Sequence, residues 1–159
     1  MTKILYGGFR KIKTLINFSI MNLPMPRTWR WHFAKWGGVN MIYDPEKGYK
    51  RYFIAEDVNF DTVYPQNITI YNEVHITRGC TFLTHHLDTK NPDKTDIHWQ
   101  ENKITIMPRA FIGTNTIVCS NVTIGEGAIV GAGSVVTKDI PPFEIWGGNP
   151  AHFIKKRGI

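Results

Sequence analysis

Cysteine is scarce in this chain. Cys80 and Cys119 stand alone with no C-x-x-C pair, so neither a disulfide framework nor a zinc knuckle is indicated, and both read as small residues for burial. Long apolar runs are missing as well. The best stretch, 14–25, is interrupted by Asn17, Ser19 and Asn22 and falls short of the roughly 18 residues that a membrane span needs. It also makes a poor secretory signal, because no small-residue cleavage site follows before Pro24 and Pro26. A cytoplasmic location is the expectation. Charged residues reach only 20% against 42% hydrophobic, which excludes a disordered or solvating chain, and 159 residues suit a single domain. The charge that is present is lopsided, with 19 basic and 13 acidic residues for a net +6. Basic residues gather at Arg10-Lys11-Lys13, Arg27 to Lys35, Lys47-Lys50-Arg51 and Lys155-Lys156-Arg157, while 113–137 has none. Such a surplus attracts phosphate-bearing partners, but no nucleic-acid-binding motif accompanies it and no nucleic-acid role is expected.

What the sequence does have is a period of six. Ile106, Ile112, Val118, Ile124, Val130 and Val136 are each six residues apart, with Ala110, Thr116, Val122, Ala128 and Ser134 at the fifth place of successive units. Small residues prevail just after the aliphatic position, as at Gly113, Gly125 and Gly131. An earlier tract repeats the rhythm at Ile70, Ile76 and Phe82, and a weaker one at Ile54 and Phe60. Six is a multiple of the strand period of two and not of the helical 3.6, so each unit predicts a short strand with its aliphatic residue inward, followed by a tight turn. Three strands close a triangular coil of eighteen residues. Coils stacked at about 4.8 Å place like residues above like, giving a parallel β-solenoid cored by columns of Ile and Val.

The period divides the chain. Residues 1–53 lack it: 9–21 reads as an amphipathic helix and 27–36 as a second, ending at Gly37-Gly38, and together they predict an N-terminal helical cap. A cap is needed because an open coil exposes unpaired backbone groups. The solenoid is expected over 54–148, with a register slip near Tyr64-Pro65-Gln66 and a polar loop, 85–103, extruded from it. In 149–159, Asn149 and Pro150 predict a short C-terminal helix. The basic face of the first helix allows peripheral membrane contact at most.

The repeat pattern Ile-Gly-x-x-Ala/Thr-x, together with Gly131-Ala132-Gly133-Ser134 through Thr137-Lys138-Asp139-Ile140-Pro141-Pro142 and Gly148-Asn149-Pro150-Ala151, resembles the hexapeptide-repeat acyltransferases. Thr84-His85-His86-Leu87-Asp88 resembles a segment of the maltose and galactoside O-acetyltransferases with His86 in place of a proline, and Leu83-Thr84-His85 a motif of capsular polysaccharide O-acetyltransferases. The resemblance implies a left-handed parallel β-helix, although connections between parallel strands usually favour the right hand. It also implies acetyl-CoA as acyl donor, a homotrimer whose intersubunit groove holds the coenzyme, and a sugar-like acceptor, which suggests polysaccharide biosynthesis. By that resemblance Thr114, Ala132, Thr137, Lys138 and Lys155 bind the coenzyme, and His85 is the catalytic base, with His86 the alternative if the repeat count shifts by one.

The chemistry needs such a base, since a hydroxyl is a weak nucleophile near neutral pH and a neutral imidazole must take its proton as it attacks the thioester. The base's second ring nitrogen requires an acceptor, for which Asp88 and a backbone carbonyl are candidates. His98 and Trp99, in the loop, are candidates for contact with the acceptor. A solenoid carbonic anhydrase would demand a His-x₄-His pair, whereas this chain has adjacent His85-His86, so no metal is expected. N-acetylation of an amino sugar and a noncatalytic solenoid scaffold remain as alternatives.

Overall fold

The computed structural model describes residues 23, 25–87, 99–119 and 121–158. The first expected helix, 9–21, lies outside the described residues. The second is present as α1, Arg27–Trp36, ending where Gly37 and Gly38 follow and Gly38 takes a φ of +111°.

From there the chain winds in turns of three short strands. The first turn is β1 (Asn40–Ile42), β2 (Phe53–Ile54) and β3 (Asn59–Phe60). The second is β4 (Ile68–Tyr71), β5 (His75–Ile76) and β6 (Thr81–Leu83). A two-stranded ribbon then projects, β7 (His85–Leu87) antiparallel to β8 (Trp99–Glu101), and the expected loop ends are thereby paired to each other. Winding resumes with β9 (Ile104–Ile106), β10 (Phe111–Ile112) and β11 (Ile117–Cys119), then β12 (Val122–Ile124), β13 (Ile129–Val130) and β14 (Val135–Val136), and closes with β15 (Glu144–Gly147) and β16 (His152–Lys156).

Corresponding strands stack in parallel into three faces. Face A is β1-β4-β9-β12, face B is β2-β5-β10-β13-β15 with β16 at its edge, and face C is β3-β6-β11-β14. Stacking starts earlier than the repeat suggests, at Asn40, because Met41 pairs with Ile70 although no six-residue rhythm precedes Ile54. The register is that of the repeat. Ile106 stacks on Ile124, Ile112 on Val130 and Val118 on Val136, each pair eighteen residues apart. All six are fully buried, as are Ala110, Thr116, Ala128 and Ser134 at the fifth places. The slip near Tyr64 is a single 3-10 turn, Pro65–Asn67, which widens that coil.

The C-terminal expectation is overturned: in place of a helix over 151–156, residues 152–156 form strand β16. β15 ends the B face and presents unpaired backbone groups, and Gly148, at φ +101°, turns the chain back so that Gly147 pairs with His152 and Ile145 with Lys155. Satisfying that edge outweighs the capping signal of Asn149-Pro150. Cys119, expected to be buried like Cys80, is only half-buried. Among the described residues no helix is long and apolar enough to cross a membrane.

The columns generate a stability prediction. Ile112 lies between Ile76 and Val130 with no exposed surface, so Ile112→Ala is expected to lower the unfolding free energy by about 2–4 kcal/mol in urea titration. Thr123→Ala, on the exposed outer side of β12, is expected to change it by less than about 0.5 kcal/mol.

Candidate active site at the corner between faces C and A

The corner where face C passes into face A carries Asp61, the exit from β6 at Thr84, and the ribbon β7–β8. Thr84 is fully buried and anchored three ways: its N–H donates to Asp61 Oδ2 (2.8 Å), its hydroxyl to the Tyr64 carbonyl (3.1 Å), and its carbonyl accepts from Asn102 N–H (2.7 Å). His85 therefore leaves a rigid strand end. Its Nδ1 lies 2.5 Å from Asp61 Oδ2, with the carboxylate almost wholly buried and the imidazole about a quarter exposed. Trp99 meets the imidazole edge-on at 5.2 Å between centroids, and Tyr64 does so at 6.3 Å.

Burial by itself raises the Asp61 carboxyl. Hydrogen bonds from the Val63 and Thr84 backbone N–H groups and from His85 outweigh it, and the net direction is downward, so Asp61 is an anion at neutral pH. An anionic partner keeps hydrogen on His85 Nδ1 and leaves the Nε2 lone pair for proton abstraction. His86 is held differently. Adjacent strand residues point to opposite sides, and the exposed His86 turns its Nδ1 to the amide of the buried Asn102 at 2.8 Å. The two candidates are thus distinct: one imidazole rests on a carboxylate, the other on an amide.

Asp61 and Asn102 were not singled out by sequence. Asp61 follows the inward Phe60, which pairs with Phe82 of β6, and that register alone sets it beside the residue leaving β6. The proposed orienting residue Asp88, and His98, lie outside the described residues. Trp99 stands on β8, more than half exposed beside His85.

The residues expected to hold coenzyme do not converge on one chain. Thr114 and Ala132 lie on the B–C corner in adjacent coils, joined by the Gly133 N–H donating to the Thr114 carbonyl at 2.8 Å. Thr137 and Lys138 follow β14 at the opposite edge of face C, on the corner that carries His85, and Lys138 lies over the Trp146 ring at 5.2 Å. Lys155 is on β16, paired with Ile145. Ala132 and Gly133 leave their corner open, with no atom within 4 Å of where a Cβ on Gly133 would stand, so an extended chain can lie against this backbone.

Residues 103–138 match the family model described as bacterial transferase hexapeptide (six repeats). A Staphylococcus aureus (strain MRSA252) protein provisionally named an acetyltransferase is 30% identical over 125 residues, covering 65% of this chain and 62% of its own. The chain thus spans less than two thirds of that relative. Among solved structures, a hexapeptide-repeat acetyltransferase of Vibrio cholerae O1 biovar eltor, complexed with acetyl coenzyme A, superposes with a TM-score of 0.69 at 16% identity, over 96% of this chain and 89% of its own. A maltose O-acetyltransferase of Clostridium difficile 630 gives 0.66 at 22% identity, over 92% and 85%. Repeat and superposition lead to one statement: this chain carries bacterial transferase hexapeptide repeats over 103–138 and has the fold of the two acetyltransferases it superposes on.

Proposed function

We propose that the chain is an acetyl-CoA-dependent O-acetyltransferase acting on a sugar-like hydroxyl, with His85 as general base and Asp61 orienting it. The observation that carries the reading is the buried Asp61 carboxylate at 2.5 Å from His85 Nδ1, at the mouth of a rigid strand end. The left-handed winding belongs to the same reading, supported by the likeness of fold to acetyltransferases built on this repeat.

In the reaction, His85 Nε2 takes the hydroxyl proton as the acceptor oxygen attacks the thioester carbonyl. The tetrahedral intermediate then expels the coenzyme's sulfur, and the imidazolium returns its proton to that sulfur, giving an acetyl ester and a free thiol. No acyl-enzyme is needed. Cys80 is unsuited to forming one, since burial raises its thiol, which donates to the Gly113 carbonyl. Trp99 and Tyr64, edge-on to His85, supply flat apolar walls suited to the face of a sugar ring. Thr114 and Ala132 sit at one edge of face C and Thr137 and Lys138 at the other, so a groove using both sets brings edges of two subunits together. A homotrimer closes three such grooves by rotation.

Three outcomes test this. In acetyl-CoA-dependent thiol release across a sugar panel, His85→Ala is expected to lose about 10²–10⁴ of turnover, while His86→Ala retains most of it. The reverse ranking would move the base to His86, and release with amino sugars alone would replace O- by N-transfer. Light scattering is expected to give the mass of a trimer.

The third outcome concerns acid stability. Because the folded carboxyl of Asp61 lies below its ordinary value of 3.8, its ionised form stabilises the fold fully above that value, and the contribution is lost as pH falls through the lower folded value. Denaturant midpoints measured between about pH 2 and 6 should fall more steeply for the parent than for Asp61→Asn. Identical acid limbs would remove Asp61 from this role.

A further inference from the structure

A groove of ≈ 770 Å³ runs along face B where it meets the A–B corner. In a triangular coil this face lies opposite the C–A corner that bears His85, so none of the chemistry above uses it. Its floor is a column of outward rings, Phe53, His75 and Phe111, successive along β2, β5 and β10 with centroids 5.1 and 6.4 Å apart and planes within 27° of parallel. Its rim is cationic: Lys50, Arg51, Arg109 and Arg157 line it against one carboxylate, Glu73.

The backbone supplies a second, independent observation. At the B–C corner the left-handed position is filled by Asp57, Gly79, Asn115 and Gly133, residue types that tolerate positive φ. At the A–B corner the corresponding column holds Glu73 (φ +58°), Arg109 (+63°), Gly127 (+63°) and Phe143 (+56°). Glutamate, arginine and phenylalanine are poor choices there, and glycine at Gly127 marks the unstrained alternative. Turn geometry does not account for a guanidinium held at this place, and residues kept in sparsely populated backbone regions gather at functional sites. Arg109 pairs with Glu126, whose carboxyl is raised by its modest burial but lowered on balance by hydrogen bonds from Arg109 and Lys47, so the edge is fully ionised.

We propose that this groove binds a nucleoside phosphate, its ring packed against the Phe53–His75–Phe111 column and its phosphates met by Arg109 and Lys50. The ring column suits a flat heterocycle, and the surplus of cations suits phosphate oxygens. The same surplus opposes seating a second copy of a chain that itself carries +6. The inference does not depend on the acetyl-transfer reading. Such a ligand has two chemical sources, the nucleotide end of a coenzyme or a sugar nucleotide.

Calorimetric titration of the intact protein with adenosine 3′,5′-bisphosphate, uridine diphosphate and inorganic phosphate tests it. At least one nucleotide should bind saturably, about tenfold or more tighter than phosphate, and the preferred one names the source. Arg109→Gly should weaken that binding about tenfold while leaving the thermal midpoint unchanged or higher, since it relieves the left-handed strain. His75→Ala, an exposed change independent of the corner, should weaken nucleotide but not phosphate. Lys103→Glu, a charge reversal on the far side of the coil, should stay within about twofold of the parent. Absence of saturation, equal affinity for phosphate, or equal damage from Lys103→Glu would overturn the proposal. So would a change of mass in light scattering on Phe111→Glu, which would make the face a contact between copies.

Discussion

Everything in this molecule depends on one stacking constraint: parallel strands set at hydrogen-bonding distance force each side chain to lie on its counterpart in the next coil. A fully buried column such as Ile54, Ile76, Ile112 and Val130 results, and it tolerates little variation, because a wrong residue disturbs the rungs above and below it. The corners, by contrast, are free to differ, and the candidate site lies at one of them.

Each corner solves the turn in its own way. The B–C corner uses small or left-handed-tolerant residues. At Gly113 a Cβ would lie 2.5 Å from the backbone nitrogen of Ala132, so neighbouring coils there approach as closely as peptide groups allow. The C–A corner is where the chain departs from the coil into the ribbon, and the A–B corner carries charge and rings. A single winding rule thus yields three edges of different chemistry, arranged around one shared core.

The dyad shows how stacking creates a site. Asp61 and His85 are far apart along the chain, yet Phe60 and Phe82 are rung partners, so Asp61 lies where the chain leaves β6 and meets both Thr84 N–H and His85 Nδ1. Burial would disfavour the Asp61 anion. Donors from Val63, Thr84 and His85 compensate, and the same contacts fix the ring that the carboxylate orients. Thr84 ties the arrangement to β6, so the imidazole inherits the rigidity of the solenoid instead of the freedom of a loop.

The period of six by itself determined the parallel coil, its eighteen-residue turn, the inward columns and the place where the ribbon leaves, because burial at every sixth residue admits no other regular winding. The limits of α1 were legible too, since Gly37 and Gly38 end it. Only the tertiary structure decided the partners. Asp61 has no motif of its own, and its neighbour is set by the register of β3 on β6, a relation between coils that local sequence does not count. The strand at 152–156 depended likewise on a distant fact, the open edge of β15, against a capping signal that pointed to a helix. Local spacing specifies which residues face inward; which outward residues meet depends on register between coils, and that is a property of the stacked whole.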